Sequence, residues 1–243
     1  MARLFVSPDK LQGDRATLDE AAHRHLVKVL RLAPGATFGV FDGRGTEIEA
    51  RIESIGRASV DIVLGARRRL PAPACAITLL QSPPRGDRMD LIVQKTTELG
   101  VARIVPVLTE RGVVKPGSDG RDRQRRWQTI AEEAARQSGR ADVPEVANVV
   151  ALAEALGKIS VPAGSRFVLW EEERAQSFHQ ALAAGPREVA VLVGPEGGFP
   201  AAEVELCRAS GFQAAGLGWR VLRSETAAIV AVALAQAAAG GLD

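Results

Sequence analysis

The last third of the chain alternates apolar runs with glycine-bearing loops. Residues 189–193 (VAVLV) form an uninterrupted apolar run of strand length, followed by Gly194-Pro195-Glu196-Gly197-Gly198. A helical stretch, a second short strand, a loop opening on Gly216-Leu217-Gly218 and an alanine-rich helix reaching residue 239 come next. Continuous apolar runs bounded by turn residues fit strands buried on both faces. Each loop follows a strand and precedes a helix, the position where open α/β sheets keep their ligand sites.

Upstream the period differs between two halves. Residues 3–7 read as a strand, and 18–32 as a helix with an apolar face, capped by Thr17 or Asp19. Ala33-Pro34-Gly35 ends it. Short strands follow over 37–41, 47–55 and 59–64, with turns at 42–45 and 56–57. A small β-barrel with one helix is the natural closure. The run Arg67-Arg68-Arg69, then Pro71 and Pro73, reads as a linker, giving expected domains of 1–72 and 73–243. From Ala76 strands and helices alternate: strands over 77–81, 103–108 and 166–170, helices over 87–99, 122–138, 152–156 and 176–183. Such alternation predicts an α/β domain, a mainly parallel sheet covered on both faces.

Composition adds little until the charges are sorted. The 243 residues are 46% hydrophobic, ordinary for a protein with a real core. No apolar run approaches the ~18 residues that cross a bilayer, and the first ten residues lack a signal pattern, so no membrane association is expected. Cys75 and Cys207 lie far apart without metal-ligand spacing, which predicts buried thiols, no metal and a cytoplasmic protein. The net charge is +2, yet 26 of the 31 basic residues are arginine, and residues 1–72 hold 12 basic against 9 acidic side chains. Arginine suits phosphate and base recognition, so a basic first domain is compatible with nucleic acid; a GC-rich genome explains the same bias. Aromatics are scarce (4%, no Tyr), which argues against an RRM-type stacking sheet.

The loops narrow the chemistry. Gly194–Gly198 is not a phosphate loop: it has no Gly-Lys-Ser/Thr, and Glu196 repels phosphate. It also lacks the dinucleotide fingerprint, leaving a neutral or cationic ligand, or a plain strand-to-helix turn with an acid at the helix start. In the second loop Ser224 can cap the last helix. Arg220 and Arg223 either pair with acids such as Glu225 and Glu196 or serve a ligand.

GPEGGF at 194–199 and LGWRVLRSETAA at 217–228, with QKTTELGVARIVPV at 94–107, TERGVV at 109–114, EEAARQSGRADVPEV at 132–146 and HLVKVLRLAPGATFGVFDGRG at 25–45, resemble the RsmE family. These are SPOUT-superfamily RNA methyltransferases acting on N3 of a uridine in 16S ribosomal RNA of the small subunit. The resemblance spans nearly the whole chain, with its blocks in the family's order. It implies a PUA-like barrel for RNA, an α/β domain with a deep trefoil knot (topologies that are rare exceptions), S-adenosylmethionine held by the knot loops, and a homodimer. The implied cofactor residues are Gly194, Pro195, Glu196 and Gly197 in the first loop, and Leu217, Gly218, Leu222 and Thr226 in the second. Leu192 and Trp170, at neighbouring strand ends, are further candidates. His25, Lys28 and Arg31 become candidates for RNA contact.

N3 of uracil carries an imide proton that must leave as the ring attacks a methyl group, so a site needs orientation, a proton acceptor and nearby cations. The resembling blocks supply Arg111, Arg136 and Arg223 as cations and Glu98 as an acid; Lys95 and Glu98, three apart, can also simply pair. Two alternatives remain open on the residues: a SPOUT enzyme with another RNA target, and a PUA-type RNA-binding protein without activity.

Overall fold

The computed structural model describes residues 2–113 and 120–242, so the TERGVV block ends, at Val114, outside the described residues. It divides into two compact units, Met1–Ala72 with Ala135–Val143, and Pro73–Ala134 with Pro144–Asp243.

The first unit is a five-stranded sheet of order β1-β3-β4-β5-β2, with β1 (Arg3–Phe5), β2 (Arg15–Leu18), β3 (Thr37–Phe41), β4 (Thr46–Ile55) and β5 (Val60–Arg69). β1 pairs parallel with β3 and the other pairings are antiparallel. Strand β4 shows why it forms: Ile48, Ala50 and Ile52 are buried while Glu49, Arg51 and Glu53 face water. The inward residues pack on Phe38, Val40, Val60 and Ile62.

Three features depart from the sequence reading. Leu18 ends a strand rather than starting a helix, because residues 15–18 pair with β5 and Thr17 donates to Asp61 Oδ1 at 2.7 Å. Helix α1 (Glu20–His23) therefore starts at Asp19, whose carboxylate accepts from the Ala22 amide at 3.2 Å, and continues as a π-helical turn over Arg24–Val29. The Arg67–Arg69 run is strand, not linker: it pairs with Thr46–Ile48. Arg68 donates twice to Glu47 (3.0 and 2.6 Å) and Arg3 once (2.7 Å). Burial pushes the Glu47 carboxyl up, but these two guanidiniums hold it below its ordinary value. Residues 135–143 group with the first unit because Ala135 and Ala141 bury against Phe41, beside Phe5 and Val143, and Arg3 donates to the Arg140 carbonyl at 3.1 Å.

The second unit is all-parallel. In chain order it comprises β6 (Ala76–Gln81), α2 (Arg88–Glu98), β7 (Val101–Leu108), α3 (Gly120–Ser138), β8 (Glu145–Val146), β9 (Val150–Ala151) and α4 (Leu152–Gly157). Then come β10 (Arg166–Leu169), α5 (Phe178–Ala181), β11 (Glu188–Val193), α6 (Ala201–Ala209), β12 (Gln213–Ala215) and α7 (Ser224–Ala238). The strand order is β12-β10-β11-β6-β7-β8, with β9 also on β7. The chain lays β7 and β8 on one side of β6, then returns to the other, so the direction of build reverses at β6. The short β8 and β9 carry no pattern long enough to predict them.

Both faces of β11 are buried, as its unbroken apolar run requires. Helix α7 buries Ala228, Ala231, Val232 and Ala235. Its Gln236, fully enclosed, accepts from the Cys75 amide at 3.2 Å and donates to the carbonyls of Cys75 and Gly100, both at 3.0 Å. Cys75 and Cys207 are buried free thiols, and burial pushes their pKa values up to about 11 and about 12, which leaves them poor nucleophiles. Among the described residues no helix is long and apolar enough to cross a membrane.

Candidate functional site

Strands β10, β11 and β12 run parallel, so their carboxyl ends share one edge of the sheet. The residues after them enclose a cavity of about 250 Å³. β10 contributes Leu169, Trp170 and Glu171; β11 contributes Val193 and the loop after it; the loop after β12 contributes Leu217, Gly218 and residues 220–224. This is the carboxyl-edge crevice that open α/β sheets offer to ligands.

The first loop turns tightly, the Gly198 amide donating to the Pro195 carbonyl at 3.0 Å. Gly198 adopts φ +64°, which favours glycine, and a Cβ there would also make the Glu171 carboxylate swing aside. Glu196 does not face the cavity alone. Its Oε1 accepts from the Arg85 amide at 3.0 Å and is ion-paired with Arg88, whose Nε also lies 3.8 Å from Glu225 Oε1. Burial raises the Glu196 pKa, but its own amide, the Arg85 amide and Arg88 outweigh that and hold it below the ordinary carboxyl value. Arg111 Nη1 donates to the Gly197 carbonyl at 2.8 Å, seating the segment after β7 on this loop.

The second loop is tied to the first through Ser224. This residue opens α7 with Arg223 in the cap position, so its hydroxyl does not cap the helix as the sequence suggests. It donates instead to the Gly194 carbonyl at 2.6 Å and accepts from Gln81 Nε2 at 3.0 Å. Gln81 sits at the end of β6 and Gly194 directly after β11, so two strand ends and the start of α7 meet on one hydroxyl. The Gly216 amide donates to Gln176 (2.9 Å), and Arg174 donates to the Gly218 carbonyl (3.1 Å).

Of the residues singled out in the sequence, Trp170, Gly194, Pro195, Glu196, Leu217, Gly218, Leu222 and Arg223 line the cavity. Gly197 belongs to the same loop, and Arg111 touches it. Leu192 does not line it: parallel-strand burial places it in the core with Val204 and Cys207. Thr226 is exposed on α7, because the helix begins at Ser224 and turns that position away from the lining. Glu98 pairs with Lys95 at 2.9 Å at the end of α2. Arg136 belongs to the first unit, 3.3 Å from His25 Nε2. Lys28 and Arg31 are exposed there, His25 half-buried.

Sequence reasoning missed Gln81, Arg88, Glu171 and Glu203. Glu203 Oε1 accepts from the Glu110 amide at 2.8 Å, and burial, aided by the Glu110 charge, pushes its carboxyl above the ordinary value despite that bond and Arg111. Contacts of this kind join residues about ninety or more apart, which no local pattern reveals.

The cavity suits a ligand that is partly apolar and carries charge of both signs. Leu169, Val193, Leu217, Val221 and Leu222 offer apolar wall, Glu171 and Glu196 negative charge, and Arg220 and Arg223 positive charge. Trp170, which lines the cavity, packs its indole against the core with the Arg208 guanidinium 5.8 Å from its ring centroid.

Residues 71–236 match the family model described as an RNA methyltransferase domain, and 18–65 the one described as an RNA methyltransferase PUA domain. Ribosomal RNA small subunit methyltransferase E of Synechocystis is 32% identical over 95% of this chain and 76% of its own. A crystal structure of ribosomal RNA small subunit methyltransferase E from Neisseria gonorrhoeae bound to S-adenosyl methionine superposes with TM-score 0.86 at 34% identity, covering 98% of this chain and 97% of the other. A putative methyltransferase from Legionella pneumophila, in complex with the bound cofactor SAM, gives 0.85 at 31%, covering 98% of each chain. With its PUA-like barrel unit and α/β unit of SPOUT type, the chain belongs to the RsmE family of RNA methyltransferases.

Proposed function

We propose that this protein transfers a methyl group from S-adenosylmethionine to N3 of a uridine in 16S ribosomal RNA. The observation that carries the reading is the cavity between the two glycine loops, in a family whose solved members hold that cofactor. The lining fits the group: apolar wall for an adenine, carboxylates for a sulfonium and an ammonium, and Arg220 and Arg223 for a carboxylate. Gly194, Pro195, Glu196, Gly197, Leu217, Gly218 and Leu222 would hold it, largely through backbone groups. When bound, it supplies a methyl already activated on sulfur.

The protein's own residues have then to position the uracil and stabilise its anion. Arg223, exposed in the cavity lining, and Arg111, fixed on Gly197, are the cations assigned to that task. The N3 proton passes to water or to a carboxylate, of which Glu171 is the one in the lining besides the ion-paired Glu196. Glu98, paired with Lys95, and Arg136, beside His25, receive no step at the cavity in this reading. Lys28 and Arg31 on the barrel unit, with His25 before them in the chain, are assigned to RNA contact. The reading further includes a cytoplasmic homodimer, a small subunit or its late precursor as substrate, and a trefoil knot with the glycine loops as its passes.

The test is mass mapping of methylated uridine in 16S RNA from a strain lacking the gene, with and without the gene restored. Restoration of one N3-methyluridine is the expected result, and an unchanged map overturns the substrate. Arg223→Met should lower turnover about tenfold or more while leaving cofactor affinity within about threefold. Undiminished turnover removes Arg223 from the chemistry.

A further inference from the structure

We propose that Trp219 and Arg220 form a stacking platform for an unpaired RNA base beside the cavity, an inference that rests on the methyltransferase reading above. Trp219 is 77% exposed and Val221 76%, the two most exposed large apolar side chains among the described residues. Two residues apart on one loop, they put apolar surface into water side by side, the kind of exposed patch that marks an interaction site. The Arg220 guanidinium carbon lies 4.8 Å from the Trp219 ring centroid, which orients the indole and sets a positive charge beside it.

The surrounding charges identify the occupant. Glu196 and Glu225, the acids nearest in sequence pattern, are engaged by Arg88. Among the described residues no carboxylate lies within ion-pair distance of Arg220 or Arg223. Arg174, also exposed, donates to the Gly218 carbonyl at 3.1 Å and so brings a third cation to the same loop. An exposed indole with one guanidinium against it, on a loop that also carries Arg223 and binds Arg174, complements a ligand that is both aromatic and anionic, which describes a nucleotide of single-stranded RNA. Trp219 is not part of the lining, so it takes a base outside the cavity rather than the cofactor. Gly218, just before Trp219, has φ +97° with nothing within 4 Å of a Cβ position, so the loop is open to solvent on that side.

The test uses small ribosomal subunits from a strain lacking the gene, with transfer of labelled methyl as readout. Trp219→Ala should raise KM for the subunit about ten- to hundredfold, with kcat and the calorimetric Kd for S-adenosylmethionine within about threefold. Trp219→Phe, which keeps a π-face, should restore KM to within about threefold of wild type. An unchanged KM in Trp219→Ala overturns the platform. So does a raised KM accompanied by a lower sedimentation coefficient, which would assign Trp219 to contact with a second copy. A wild-type protein that transfers no methyl defeats the underlying function instead, and the two failures are thereby separated.

Discussion

A Cβ added to the first glycine loop would meet a neighbour at each of its three glycines: Phe199 at 3.0 Å from Gly194, Arg111 at 3.2 Å from Gly197, Glu171 at 2.1 Å from Gly198. In the second loop the root is as tight, Gly216 lying against the Glu173 carbonyl at 2.5 Å, but the tip at Gly218 meets nothing within 4 Å. One loop is a filled mould, the other an anchored arm. A mould fixes where a ligand sits before it arrives; an arm can follow a substrate. The two differ although both are glycine-rich turns between a strand and a helix, so glycine content alone does not say which role a loop plays.

The largest test of that contrast is at the root. Gly216→Ala sets a methyl against backbone that cannot swing aside, and should cost about 3 kcal/mol in urea unfolding with a matching loss of cofactor affinity. Ser224→Ala removes the link between the loops and strips the buried Gly194 carbonyl of its hydroxyl donor, while Gln81 Nε2 keeps the Ser82 carbonyl. A loss of about 2 kcal/mol is expected by the same measurement. At the tip, Gly218→Ala meets only the cost of its positive φ, about 1 kcal/mol, and cofactor affinity should stay within about threefold. If Gly218→Ala proves as damaging as Gly216→Ala, the arm is not free.

The smallest effect is in pH dependence. Glu196 has a folded-state pKa below its ordinary value of 4.5, so its contribution is complete above that value and is lost as pH falls through the lower, folded one. Arg88→Met takes away one of the groups that hold it down. The unfolding midpoint above about pH 6 should then fall while the midpoint at low pH changes little, so the drop on acidification becomes smaller. An unchanged drop assigns the shift to the backbone amides alone.

Much of the second unit is legible in the sequence because its signals are local. The apolar run at 189–193, the glycines after it and the alanine-rich helix each announce an element within about ten residues. The barrel is less so: Arg67–Arg69 looks like a solvated linker until Glu47, about twenty residues away, supplies the buried acid that makes it strand. Residues 15–18 pair with residues 60–63, and only that pairing makes them strand. At the site, the glycines and Arg223 could be found from their loops. The role of Ser224 could not, because a serine before an apolar helix carries the same local signature whether it caps or bridges. Leu192 and Thr226 show the other limit, since position beside a loop does not fix the direction of a side chain.

The bridge through Ser224 also sets a schedule. Gln81 is made early, Gly194 over a hundred residues later, and Ser224 thirty after that. Synthesis proceeds from the amino end, so the barrel strands and β6 to β11 leave the ribosome while the cavity still lacks one wall. A nascent chain therefore carries no finished binding place, and a message cut short before Ser224 yields a product that neither holds the ligand nor competes for it.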